Sequence, residues 1–112
     1  MNEVLALLCA HDCNMYGCWY PLPSTLISKH CEISRYKALK ELHKLRDEGL
    51  VVSNTFCEYS DWDCRYHLFR GWNVTNAAKR TEEYKQAWEK ERQGIKECYG
   101  YDVGELKIDA EL

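Results

Sequence analysis

Ser34-Arg35-Tyr36-Lys37-Ala38-Leu39-Lys40-Glu41-Leu42-His43-Lys44-Leu45-Arg46-Asp47-Glu48-Gly49-Leu50-Val51 contains the clearest change of period in the chain. Ala38, Leu39, Leu42 and Leu45 recur at helical steps and form one apolar stripe, while Lys37, Lys40, Glu41 and Lys44 lie off it. Ser34 offers a hydroxyl to cap the first turn, and Gly49 supplies the residue at which such a helix stops. From Leu50 the composition turns β-branched and aromatic. A helix over about 34–48 therefore runs into a strand.

Working outward, Pro23-Ser24-Thr25 opens a shorter helix with Leu26, Ile27 and Cys31 at helical spacing, interrupted by Glu32-Ile33. Small Ser28 suits a close crossing of the two helices. Residues 3–10 favour a further helix whose apolar positions spread over more than one side, so it is expected to be wrapped by other elements. Residues 11–23, with His11, Asp12, Asn14, Gly17, Pro21 and Pro23, read as a loop. Downstream, Leu50 to Tyr59 and Arg65 to Phe69 read as two strands joined by a turn at Ser60-Asp61-Trp62-Asp63. Thr75 is the expected cap of a last helix over about 75–98. Its seam of Ala77, Tyr84, Trp88, Ile95 and Cys98 is broken by Thr81 and Glu91. Residues 99–112 form an acidic tail or a short docking segment.

The 112 residues suit one domain, here 1–98 plus the tail, and a charged fraction of 29% against 46% hydrophobic is an ordinary globular balance. A net charge of −3 excludes a polycation, but the charge is uneven. Residues 24–48 carry six Lys/Arg against four Asp/Glu, whereas both ends are acidic. Met1 to Leu5 has no basic stretch, and the apolar run ends at Ala10. Neither a signal peptide nor a membrane span is expected, and the location expected is cytoplasmic, with seven cysteines present as thiols.

The order helix, loop, helix, short turn, longer helix, hairpin, helix is that of a winged helix-turn-helix, a mainly α fold with a small β-hairpin (α+β). The Leu42-x-x-Leu45-x-x-x-Gly49-Leu50-Val51 run resembles the recognition helix and first wing strand of the MarR and PadR families of bacterial regulators. Arg65-Tyr66-His67-Leu68 resembles the returning wing strand, and Asn73-Val74-Thr75-Asn76-Ala77-Ala78 the entry into their last helix. The resemblance spans about residues 24–85. It implies a recognition helix over about 34–48, a wing over about 50–70 and an additional long C-terminal helix. It also implies a dimeric DNA-binding transcriptional regulator, a repressor of bacterial or phage origin. Two positions depart from the pattern. Glu32 stands where the turn commonly has glycine, and Ala78 where the last helix usually has glycine.

A recognition helix enters the major groove with its N-terminal half. The candidate DNA contacts are Ser34, Arg35, Tyr36, Lys37 and Lys40, with Lys44 a turn further on and Lys29 and His30 beside flanking phosphates. Arg35 suits guanine and Tyr36 a phosphate or thymine methyl, while the lysines neutralise backbone. Asp61 and Asp63 at the hairpin tip oppose a wing in the minor groove, offset by Arg65 and Arg70. A winged helix serving as a protein-protein interaction module without DNA is therefore the alternative. Tyr84, Trp88 and Ile95 extend past what one small domain covers and are expected at a homodimer interface; the alternative is that the last helix folds back on the first.

Cys9-x-His11-x-Cys13-x4-Cys18 puts four metal-ligand types within ten residues, but not at the spacing of zinc knuckles. A thiol- or metal-responsive regulator is thus a third reading, with no metal or other cofactor expected. Cys57 and Cys64 are placed to face each other across the hairpin. The histidines (11, 30, 43, 67) are scattered, and no phosphate loop, nucleophile elbow or paired carboxylates stand out, so no enzyme is expected. The residues name no effector.

Overall fold

The computed structural model describes residues 1–14 and 20–108. It is a mixed α+β structure of α1 (Glu3–Cys13), α2 (Ser24–Cys31), α3 (Arg35–Asp47), β1 (Val51–Ser60), β2 (Arg65–Val74), a 3₁₀ helix (Asn76–Arg80) and α4 (Glu82–Tyr99). No helix among the described residues is long and apolar enough to cross a membrane.

α1 begins where the Asn2 side chain accepts a hydrogen bond from the Leu5 amide at 3.1 Å. Val4, Leu5, Leu8, Cys9 and Cys13 are buried, a wide apolar arc that packs against α4, β2, α2 and α3. The helix runs one turn past Ala10, through His11-Asp12-Cys13, where the sequence predicts a loop. Two tertiary contacts account for this. Cys13 is buried in the core, and Asp12 accepts the Tyr84 hydroxyl at 2.6 Å.

α2 and α3 begin at the predicted residues. The Ser34 hydroxyl accepts from the Lys37 amide at 3.1 Å, and Ala38, Leu42 and Leu45 turn into the core with Ile27. Both helices end in the same way, with paired backbone bonds closing a left-handed residue. At α2 these are Ile33 N–H to Ser28 C=O (3.1 Å) and Glu32 N–H to Lys29 C=O (3.3 Å). At α3 they are Leu50 N–H to Leu45 C=O (3.0 Å) and Gly49 N–H to Arg46 C=O (2.9 Å). Ser28 spends its hydroxyl on the Thr25 carbonyl of its own helix, at 2.9 Å.

β1 and β2 pair antiparallel from Val51↔Val74 to Ser60↔Arg65, so the turn is Asp61–Cys64, one residue later than predicted. Cys57 lies opposite Leu68 while Cys64 occupies the left-handed turn position (φ 56°), so the two cysteines do not face each other. β2 also continues past the predicted wing end at 70, to Val74. Its extension is held by Leu22, which exchanges two 2.9 Å backbone bonds with Trp72. The passing chain leaves no room at Gly71. A Cβ there would sit 2.5 Å from the carbonyl carbon and oxygen of Pro21.

The last helix does not span 75–98. Thr75 ties back to the start of the hairpin, donating its hydroxyl to Gly49 C=O (2.6 Å) and its amide to Leu50 C=O (2.9 Å). A 3₁₀ turn follows. The cap of α4 is Thr81, whose hydroxyl accepts from the Tyr84 amide at 3.3 Å, with Glu82 and Glu83 in the first turn where the helix dipole favours acids. Thr81 thus breaks the apolar seam because it is a helix start. Residues 100–108 are no free tail. Asp102 takes two bonds from the Arg92 guanidinium (2.7 and 3.0 Å), Trp88 donates its indole N–H to Gly104 C=O (3.0 Å), and Leu106 packs on the core.

Two stability outcomes are expected. Gly71→Ala forces Pro21 away from β2 and should cost about 1–3 kcal/mol in urea unfolding, as overpacking does. Burial pushes the Cys9 thiol up to about 12 and the Cys13 thiol to about 11, and burial with the Asp12 bond raises the Tyr84 hydroxyl. The fold therefore holds these groups neutral. Their contribution is complete below the ordinary thiol value of 9.0 and is lost as pH rises toward 11–12. The urea midpoint should fall from pH 9 upward, as the unfolding free energy drops by at most about 1.4 kcal/mol per pH unit for each thiol. A midpoint flat to pH 11 would contradict this burial.

Candidate nucleic-acid interface

At about 100° per residue, the side of α3 opposite Ala38, Leu42 and Leu45 carries Tyr36, Lys40, His43 and Asp47. Lys37 and Lys44 flank that line on one side, and Arg35, Leu39 and Arg46 on the other. Tyr36 is 78% exposed, and Lys37, Lys40, His43 and Lys44 are all exposed, as are Lys29 and His30 in the last turn of α2. The two helices are joined by a short turn through left-handed Glu32. Lys29 and His30 border a cleft with Leu7, Leu22 and Leu26, and His30 a second one with Glu3, Ala6, Ala10 and Lys90, so both also neighbour α1.

The predicted residues are not equivalent. Ser34 uses its hydroxyl as a cap. Arg35 reaches back, its Nε donating to Ser24 Oγ at 3.4 Å, and so is drawn toward α2. Lys37 borders a cleft with Asn2, Glu3, Val4, Cys31, Ile33 and Glu41, at the edge of the exposed face rather than its centre. Glu41 beside it accepts from Asn2 Nδ2 at 3.2 Å. Tyr36 and Lys40 are central.

His43 lies on the predicted recognition helix but is not among the candidate contacts that the sequence suggests. It stands three residues after Lys40 and seven after Tyr36, on the same line, and the signal was this spacing alone. Its ring packs against buried Trp72 with centroids 5.7 Å apart, which joins the exposed face of α3 to the hairpin.

The hairpin register divides its side chains between two faces. One continues from buried Val51 and Trp72 through Ser53, Thr55 and Arg70, Cys57 and Leu68, to Tyr59 and Tyr66. The other holds Phe56 and Phe69, Glu58 and His67, Ser60 and Arg65, and is partly covered by Tyr20, whose ring lies 5.1 Å from Phe56. Asp63 leans toward this second face, bonding His67 Nε2 at 2.7 Å and the Arg65 amide at 3.1 Å.

The remaining candidates fall elsewhere. Tyr84, expected at a dimer interface, is 3% exposed and spent inside its own chain on Asp12. Trp88 is half-buried beneath Gly104, and Ile95 is half-buried further along. For Tyr84 and Trp88 the reason is that α4 folds back along α1, while Gly104 and Leu106 come over the first half of its seam. Cys9 and Cys13 are buried in the core with raised thiol pKa values, and His11 Nε2 lies 2.8 Å from the Tyr20 carbonyl. Cys18 lies outside the described residues. Among the described residues, no three His, Cys, Asp or Glu side chains converge as a metal site.

No protein-family model matches the chain, and no curated protein or solved structure is detectably similar to it. The turn itself allows a direct check. Glu32 holds a left-handed conformation (φ 56°, ψ 41°) that costs a side-chain-bearing residue about 1–2 kcal/mol and glycine little. After glycine's own entropy loss, Glu32→Gly should stabilise the chain by about 0.5–1 kcal/mol in urea unfolding. A loss of stability would show that the turn is built differently.

Proposed function

We propose that α2, the Glu32 turn, α3 and the hairpin form a winged helix-turn-helix, and that the chain is a cytoplasmic DNA-binding transcriptional regulator acting as a dimeric repressor. The observation that carries the reading is the outward line of Tyr36, Lys40 and His43 on α3, flanked by Lys37 and Lys44. It is backed by an apolar stripe that fixes the helix on the body. A helix fits the major groove, about 12 Å wide, and α3 is about 20 Å long, enough to cross it. In this arrangement Tyr36 and Lys40 meet base edges or the adjacent phosphates. Lys37 and Lys44 neutralise backbone along one side, and Lys29 and His30 lie over the flanking strand. Arg35 acts from the α2 side. Asp47 at the far end of the line disfavours deep entry of the C-terminal half. The cytoplasmic assignment rests on the thiols, two of them held neutral in the core.

Fluorescence anisotropy on the DNA upstream of the coding region, against scrambled DNA, tests the reading between about 50 and 200 mM salt, where counterion release is steep. The expected result is preference for the upstream fragment. For Lys37→Glu/Lys40→Glu, affinity should fall at least about 100-fold and the log–log salt slope should shrink by about 2. Folded protein that binds neither DNA at the lowest salt would favour the protein-interaction module, a reading supported by the exposed apolar side chains of the hairpin.

A further inference from the structure

We infer that the hairpin face bearing Cys57, Tyr59, Tyr66 and Leu68 is where a second copy of this chain docks, the two hairpins packing face to face about a two-fold axis. This locates the dimer of the proposed regulator, but it is argued and tested without DNA.

The face is unusual in what it exposes. Leu68 is 74% and Tyr66 73% exposed, Tyr59 is 48% exposed, and the two tyrosine rings pair at 5.1 Å. Trp62 in the adjoining turn is 95% exposed. Its rows are Thr55/Arg70, Cys57/Leu68 and Tyr59/Tyr66, so Arg70 is its one charged residue. Glu58 points to the opposite face, and Asp63 is drawn there by His67 and the Arg65 amide. Asp61 stays in the turn.

This distribution is self-complementary. Strands rise about 3.4 Å per residue, so with the axis at the level of residue 58 the Thr55/Arg70 row lies about 10 Å to one side. The turn with Asp61 and Trp62 lies about 10 Å to the other. Antiparallel packing then sets Cys57/Leu68 of one copy over Tyr59/Tyr66 of the other. Each Arg70 comes over the partner's turn, where a carboxylate and an indole face can receive the guanidinium. Of the α4 residues expected to dimerise, Tyr84 is buried and Trp88 is half-buried under Gly104, which leaves Ile95 as the one partly open position. The exposed side chains offer on the order of 500 Å², less than the ~800 Å² per partner of a stable interface. Association of the free protein is therefore weak, and strengthened when two half-sites hold both copies.

Sedimentation velocity of the full chain in reductant, from about 1 to 200 μM, should show monomer and dimer in exchange. Leu68→Lys and Tyr66→Lys, both at exposed positions, should each weaken the dimer more than 10-fold with unchanged circular dichroism, whereas Ile95→Lys should not. A bis-maleimide spanning about 10 Å, the spacing of stacked sheets, should cross-link the wild type but not Cys57→Ser. A chain monomeric at 200 μM overturns the proposal and leaves the face to a different protein or to nucleic acid. A dimer that Ile95→Lys breaks and Leu68→Lys does not also overturns it, because it places the interface on α4. Neither result bears on whether α3 binds DNA.

Discussion

The pairing of Leu22 with Trp72 is the contact through which the parts of this chain hold one another in place. Two 2.9 Å backbone bonds lock the segment before α2 to the hairpin, and they form only because Gly71 has no Cβ to meet Pro21. The same Trp72 sends its ring into the core and against His43 of α3. One residue of β2 therefore sets both where α2 begins and how the hairpin stands beside α3. Thr75 closes the other side of the hairpin by bonding Gly49 and Leu50, just after α3 ends. Without these ties the hairpin would be a two-stranded ribbon of marginal stability in water.

Charge on the hairpin shows how register changes the meaning of composition. Counted along the chain, Glu58, Asp61 and Asp63 make this segment acidic. Strand alternation places Glu58 on the opposite side from Tyr59 and Tyr66, and the hydrogen bonds of Asp63 draw it the same way. What remains on the other face is apolar with a single arginine. The expected repulsion from DNA is then a property of the turn and of one face, not of the hairpin as a whole.

The C-terminal third teaches a similar lesson about apolar side chains. Tyr84, Trp88 and Ile95 form a seam that looks too long for one small domain. For Tyr84 and Trp88 the chain supplies its own cover, with α1 on one side and residues 102–106 on the other. Arg92 holds Asp102 in place and keeps its carboxyl well below the usual carboxylate range. The hydrogen bond from Tyr84 to Asp12 joins residues 72 positions apart, a separation that no local pattern announces.

Local chemistry was enough to specify much of this protein. The apolar stripe of 38–45, the Ser34 cap, the Gly49 stop and the switch to a β-rich run placed α2, α3, β1 and the start of β2 within a residue or two, because helix period, capping and turns depend on near neighbours. The exposed lysines of α3 followed from the same stripe. Only the tertiary structure decided that α1 continues through Cys13, that Thr81 rather than Thr75 opens α4, that β2 reaches Val74, and that His43 packs on Trp72. Each of these depends on a partner distant in sequence: Tyr84 for Asp12, Gly49 for Thr75, Leu22 for Trp72. Burial and long-range hydrogen bonds override local preference at such places, and neither is written in the spacing of adjacent residues.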